Sequence, residues 1–316
     1  MRYNQLGNTE LKVSDVAFGG VEIGMPYGLN ASKGGMLEKN EAIGLLHHAL
    51  DNGINFYDTA RLYGQSEQIM GEAFHGIRDR VIIASKCRHF RDPSGNLPRR
   101  SELKGIILGS IEESLNALRT DFIDVFMLHY ADLEILEIDE LYEIFADLEK
   151  QGKIRYPGIS VYQPQETELA LQKGFWKVIQ LPFNLMDQKQ GVHFEKAKHQ
   201  GVGIVIRSVL MRGLLTDRST HLHPELKAVE DHINLYGQFF NADIDTLASL
   251  AMKFAASFDE ISSILVGFDK QEFVNHALHI FNGKYLSGQQ VELAKTLGYP
   301  DQDFLNLAEW DKNGWL

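Results

Sequence analysis

The stretch Gly53-Ile-Asn-Phe-Tyr-Asp58-Thr-Ala-Arg-Leu-Tyr63-Gly-Gln-Ser66-Glu67 decides the fold. Ile54–Asp58 reads as a short strand that stops on a carboxylate, and Ser66–Phe74 reads as the helix after it. Ahead of it, Asn40 can cap a helix whose apolar stripe takes in Ile43, Leu46 and Leu50 and which stops at Gly53. Helix, strand, loop and helix in that order are the parts of a parallel α/β unit. Asp58 then falls at the carboxyl end of the strand, with Tyr63 five positions on in the loop. In a barrel of such units, that end is where chemistry collects.

The same alternation runs outward in both directions. A small hairpin turning at Gly7-Asn8 leads into a first core strand, Val16–Gly20. Downstream come strands at Val81–Lys86, Phe122–Leu128, Ile154–Ser160, Val178–Leu181, Val202–Arg207 and Ile261–Gly267. They are apolar on both faces, as a sheet covered by helices requires. Between them, Ser101 can cap a helix with Leu103, Ile107, Ile111, Leu115 and Leu118 on one face. Further helices fit Asp139–Lys150, Pro164–Gln172, Gln188–His199 and Ile244–Ser257, with Lys270–Phe281 after the last strand.

That is roughly eight strand–helix units, which predicts a (β/α)8 TIM barrel with an N-terminal β-hairpin and long βα loops. No break in composition divides residues 1–316, so one domain is expected. Thr216–Asn241 reads as a long functional loop, and the tail Tyr299–Leu316 with its aromatics either folds over the barrel mouth or packs on a helix.

Composition narrows the function. The 316 residues are 44% hydrophobic and 23% charged, enough for a large core. Thirty-one basic against 43 acidic residues leave a net charge of −12, which argues against nucleic acid or an anionic membrane as partner. The lone Cys87 excludes an internal disulfide framework and a Cys-rich zinc site. The opening residues lack the apolar core of a signal peptide, so a cytoplasmic protein is expected. No G-x-G-x-x-G follows a strand, and there is no P-loop and no H-E-x-x-H. His221 and His223 could chelate a metal but lack a matching set, and His276 and His279 read as surface residues.

Two more strands end as Asp58 does. Lys86 closes Val81-Ile-Ile-Ala-Ser-Lys86, and His129 closes Val125-Phe-Met-Leu-His129. Successive strand ends open onto one barrel face, so Asp58, Tyr63, Lys86 and His129 are expected to converge. Alone, each has a structural role open to it: a loop hydrogen bond, an ion pair, a satisfied strand-end histidine. Together they form a proton-transfer set. A phenol of pKa ~10 suits neutral pH poorly unless an ammonium stabilises its anion, and a carboxylate can orient that ammonium. A histidine can direct a substrate oxygen. Such a set fits carbonyl–alcohol interconversion with the hydride coming from a cofactor.

On these motifs the chain resembles the aldo-keto reductase family, from Phe18-Gly-Gly in the first strand to Val266-Gly267 in the last. The resemblance implies NAD or NADP extended across the carboxyl face without a Rossmann domain. It implies Tyr63 as general acid/base, Lys86 and Asp58 tuning it, and His129 orienting the carbonyl. It assigns the nicotinamide to Ser160, Gln180, Arg207 and Ser208, with Gly20, Val21 and Asp58 beside them. Leu210, Arg212 and Gly213 would wrap the pyrophosphate, and Gly267, Asp269 and Lys270 would meet the adenosine end.

Some positions depart from the pattern the resemblance implies. The family's Ser-Asn after the fifth strand is Ser160-Val161 here, and Arg207 stands where many relatives stack an aromatic ring. Asp269 and Phe273 replace the basic residues common in NADPH-preferring relatives, a lean toward NAD or dual use. The loop after Gly24 and Gly158-Ile-Ser-Val-Tyr162 resemble sugar-dehydrogenase-type bacterial members, which implies a small carbonyl or sugar substrate. Two rival readings are a redox-sensing, cofactor-binding regulatory subunit and a barrel enzyme using the site for isomerisation or elimination. Oligomeric state is not encoded in any of these motifs.

Overall fold

The computed structural model describes residues 1–28, 36–217, 219 and 222–315. A hairpin of β1 (Tyr3–Gln5) and β2 (Lys12–Ser14) comes first. Then β3 (Val16–Gly19), β4 (Phe56–Asp58), β5 (Ile82–Lys86), β6 (Ile123–Leu128), β7 (Ile154–Ser160), β8 (Val178–Pro182), β9 (Gly203–Arg207) and β10 (Ile261–Gly267) follow. The eight strands from β3 onward pair in parallel, each with its chain neighbour, and β10 closes on β3. This is the (β/α)8 barrel with an N-terminal hairpin.

Helices flank the strands: α1 (Val21–Gly24), α2 (Lys39–Asp51), α3 (Ser66–Ala73), α4 (Arg100–Leu118), α5 (Leu133–Leu136), α6 (Asp139–Lys150) and α7 (Pro164–Lys173). The second half carries α8 (Phe194–His199), α9 (Lys227–Asn234), α10 (Leu247–Ala256), α11 (Gln271–Ile280), α12 (Gly288–Thr296) and α13 (Leu307–Lys312). Strand positions facing the helices, such as Phe126, Ile159 and Ile206, join the helix stripes in one apolar layer. The barrel interior is filled by a separate set including Phe56, Ala84, Val125 and Met127. No helix among the described residues is long and apolar enough to cross a membrane.

Several boundaries differ from those the sequence suggests, each for a local reason. α2 starts at Lys39 behind Glu38 rather than at Asn40, because the Glu41 carboxylate reaches back to accept from the Glu38 N–H. α4 likewise starts ahead of Ser101, with Glu102 accepting from the Arg99 N–H. The expected helix Gln188–His199 is a 3-10 turn at Lys189–His193 followed directly by α8.

The expected loop Thr216–Asn241 holds α9 between two 3-10 turns. Its residues Leu226, Val229, Ile233 and Tyr236 are buried at helical spacing, a pattern masked by the surrounding His, Pro and Gly. The tail seats Trp310 fully in the core. It packs on the segment after β8, where Tyr299 N–H donates to the Met186 carbonyl at 2.9 Å and Gln188 N–H to Gln302 Oε1 at 2.9 Å. It therefore rims the carboxyl face rather than merely lying along a helix.

Candidate active site

Three neighbouring strands deliver the polar cluster. β4 ends on Asp58 and β5 on Lys86, while His129 immediately follows β6. Lys86 is completely buried, yet its ammonium donates to Asp58 Oδ1 at 2.7 Å, Asp58 Oδ2 at 2.6 Å and the Thr59 carbonyl at 3.0 Å. The same nitrogen lies 3.5 Å from the Tyr63 hydroxyl and 4.8 Å from the centre of its ring.

Tyr63 is aimed inward by the turn that follows it. Gly64 sits at φ +54°, and a Cβ there would overlap the Gly24 carbonyl, so this position requires glycine. Below the loop, Glu67 is buried and accepts from Arg61 and, at 2.5 Å, from Ser85 Oγ. Arg61 also holds Glu113 at 3.0 Å, so the helix entering from the loop is pinned to the next strand and to α4.

Burial, with Asp58 adding to it, pushes the Tyr63 hydroxyl well above its ordinary value, while Arg207 pulls the other way. The ammonium's donors are directed at Asp58 and Thr59, so Lys86 eases the phenol less than the sequence suggests, and Tyr63 stays protonated at neutral pH. Burial likewise lowers Lys86, offset in part by Asp58. His129 is held well below 6.5 by burial first and then by its neighbours Lys86, His89 and Arg207, so its ring is neutral at pH 7. Its Nδ1 is buried without a hydrogen-bond partner. The ring stands edge-on to Tyr63 at 5.4 Å and to His89 at 4.5 Å.

The residues expected at the nicotinamide gather around the same mouth. Gln180, on β8, donates from Nε2 to Asp58 Oδ1 at 2.8 Å. Its amide nitrogen therefore anchors the Asp58 carboxylate, a contact the sequence does not signal. Ser160 is its register partner on β7. The Arg207 guanidinium lies 4.0 Å over the exposed Tyr162 ring and donates to the Val161 carbonyl at 2.8 Å.

Beyond Arg207 the backbone is strained, with Ser208, Met211 and Arg212 at φ +60°, +46° and +55°. Non-glycine residues in this region cost on the order of 1 kcal/mol each, and such clusters mark ligand clamps. Leu210 and Gly213 bracket the turn, where the Gly213 N–H donates to the Leu210 carbonyl at 2.9 Å. Arg212 lies 5.0 Å over the Tyr27 ring and 3.7 Å from Asp311.

At the far end, Lys270 pairs with Glu272 at 3.6 Å and lies over Phe273, with Asp269 half-buried beside it. Gly20 donates its N–H to the Asp58 carbonyl at 2.8 Å, so Gly20 and Val21 run along the same rim toward Gly267. Sequence reading missed Glu22 in this seam, because a single acid between Val21 and Ile23 belongs to no motif.

His223 stacks on Trp315 instead of meeting a ligand set, and His221 lies outside the described residues. Among the described residues no group of three or more His, Cys, Asp or Glu could hold a metal. A separate concavity of about 500 Å³ at the opposite end of the barrel is lined by Glu10, Phe122, Arg155 and Tyr156. It gathers charged side chains and one phenol without the converging acid–base set of the mouth.

Comparison with known proteins bears on the family and the fold. The model of the aldo/keto reductase family matches residues 18–297. The uncharacterized oxidoreductase YqkF of Bacillus subtilis is 26% identical, the alignment covering 92% of this chain and 95% of the relative. L-galactose dehydrogenase of Arabidopsis thaliana is 29% identical over 83% of this chain and 82% of that protein. The holo form of the aldo-keto reductase AKR11C1 from Bacillus halodurans superposes with a TM-score of 0.79 at 26% identity, covering 96% of this chain and 99% of that one. A barrel that matches the family over nearly its full length and carries this cluster at its mouth belongs to the aldo/keto reductases, oxidoreductases that interconvert carbonyls and alcohols with a nicotinamide cofactor.

Proposed function

We propose that this chain is a cytoplasmic NAD(P)(H)-dependent enzyme that interconverts an aldehyde, ketone or sugar hemiacetal with its alcohol or lactone, Tyr63 acting as general acid/base. The observation that carries the reading is the buried Lys86 ammonium, held by both Asp58 oxygens and reaching the Tyr63 hydroxyl at 3.5 Å. In reduction Tyr63 gives its proton to the carbonyl oxygen, and in oxidation it takes that proton back. Burial keeps the phenol protonated at neutral pH, the form from which a general acid starts, and release of that proton relies on the neighbouring cation. Lys86 then sits beside the phenolate as charge develops on it, where a buried cation is strongest. The neutral His129 directs the substrate oxygen toward Tyr63.

The residues present fit a nicotinamide dinucleotide, which when bound supplies or accepts the hydride. Gln180 and Ser160 stand at the catalytic end, the strained Ser208–Arg212 turn and the Arg212 cation lie in the middle, and Asp269 with Lys270 is at the far end. The adenosine end favours NAD or dual use. Lys270 is paired with Glu272, and Asp269 would accept from a free ribose hydroxyl and would repel a 2′-phosphate. A polar, sugar-like substrate suits a mouth lined by His129, His89 and the Arg207–Tyr162 stack, and the likeness to L-galactose dehydrogenase points the same way.

Tyr63→Phe is expected to lower kcat roughly 10²–10⁴-fold and to leave NADH and NADPH affinities, read by fluorescence titration, essentially unchanged. Retained turnover in that variant would remove Tyr63 from the role. Tighter NADPH than NADH binding by the unmodified chain would reverse the cofactor preference.

A further inference from the structure

One carboxylate at the mouth has no part in the chemistry above. Glu22 lies in α1, directly after β3, and its Oε2 is buried with no hydrogen-bond partner. The carboxylate rests against Gly267 at the end of β10: a Cβ on Gly267 would overlap it. Gly19 and Gly267 are register partners, so Glu22 covers the seam where the last core strand closes on the first. Gly20, Val21, Gly267 and Asp269, all expected at the cofactor, border this seam.

The surroundings are hostile to a carboxylate. Burial pushes the Glu22 carboxyl up to about 7; Asp269 after β10 and Asp58 at the end of β4 raise it further, against its own backbone N–H. Both charged neighbours are acidic, and neither supplies a donor. A dinucleotide laid along this seam would add its own negative phosphates. An ionised Glu22 opposes that ligand, whereas a protonated one offers it an O–H donor.

We infer that Glu22 is a specificity-determining residue of the dinucleotide site: the neutral carboxylic acid donates a hydrogen bond to a phosphate or ribose oxygen of the cofactor, and the carboxylate repels it. The inference rests on the proposed binding of a nicotinamide dinucleotide. Its consequence is linkage between cofactor and proton. Binding keeps Glu22 protonated, so above its own titration each cofactor bound draws one proton from solution.

The test titrates NADH and NADPH into the wild type and Glu22→Gln from pH 6 to pH 9, by fluorescence and by calorimetry in buffers of different ionisation heat. For the wild type, Kd is expected to rise up to about tenfold per pH unit above pH 7, with proton uptake on binding. Glu22→Gln keeps the shape and a permanent donor, so it should hold the low-pH affinity across the range without taking up protons. Parallel profiles in the two proteins would overturn the inference, as would wild-type binding that tightens with pH because the carboxylate accepts a ribose hydroxyl. Binding of neither cofactor at any pH would instead overturn the proposed function on which it rests, and melting curves of both proteins would show that the fold is intact.

Discussion

Two buried ion pairs lie at opposite ends of the barrel, and their partners differ. At the amino-terminal end, Asp124 of β6 has both oxygens engaged. Oδ2 accepts from Arg78 at 2.6 Å and from the Ile83 N–H at 2.9 Å, and Oδ1 faces Arg155 at 3.3 Å. The two guanidinium groups flank the Phe122 ring at 4.5 and 4.6 Å, closing the cluster on itself. At the carboxyl end, the Lys86–Asp58 pair also joins adjacent strands, but the groups around it are left open: Tyr63 at the limit of reach, His129 Nδ1 and Glu22 Oε2 without partners. That end keeps orphans of its own, Arg78 Nε and Asp15 Oδ1, but the Asp124 carboxylate has both oxygens engaged and no phenol or imidazole converges on it. The Asp124 carboxylate is satisfied within the protein, whereas the pair at the mouth is surrounded by acid–base groups left without partners.

The sharpest way to break this comparison is to cut each pair. Lys86→Met conserves length and leaves Asp58 buried with Gln180 as its remaining side-chain donor among the described residues. Removing one member of a buried pair costs roughly 3–5 kcal/mol, so urea denaturation should show a loss of that order. Turnover should collapse with it, even where the variant is still folded. A variant of near-normal activity would mean that the ammonium is structural.

Arg78→Met should separate stability from activity. Asp124 keeps Arg155 and the Ile83 N–H, so the expected loss is the smaller one of a charge-assisted hydrogen bond, roughly 1.5–3 kcal/mol. The kcat of the folded fraction should stay at the wild-type value. If Arg78→Met and Lys86→Met reduced kcat equally, the contrast between the two ends would fail.

The same contrast explains what the sequence makes legible. Apolar runs ending on Asp58, Lys86 and His129 announce both the barrel and its mouth, because strand period and strand end are local properties. The partnership of Gln180 with Asp58 is invisible in the same way that Glu22 is: each depends on strands far apart in the chain meeting across the barrel. The ordered segment around α9 was hidden for another reason. Its turn-forming residues outweigh, in a local reading, the helical spacing of Leu226, Val229, Ile233 and Tyr236, which tertiary packing then enforces. Helix starts moved where a downstream Glu accepts from a backbone N–H, a contact that composition does not encode.

The smallest effect is the most discriminating, because it asks whether an open end carries a cost in the free protein. The folded chain holds the Glu22 carboxyl near pH 7, against 4.5 for the ordinary group. A raised acid favours the folded state fully below the unfolded value, and that contribution is lost as pH climbs through the folded one. Stability should therefore fall between about pH 4.5 and pH 7. Each pKa unit is worth 1.36 kcal/mol at most, and partial contact with water reduces the sum to about 1–2 kcal/mol. Glu22→Gln should match the wild type near pH 4.5 and exceed it by that amount at pH 8, read from thermal melts across the range. A like-sized gain from Asp124→Asn at pH 8 would erase the distinction, since the satisfied carboxylate at the other end of the barrel should lose stability when neutralised.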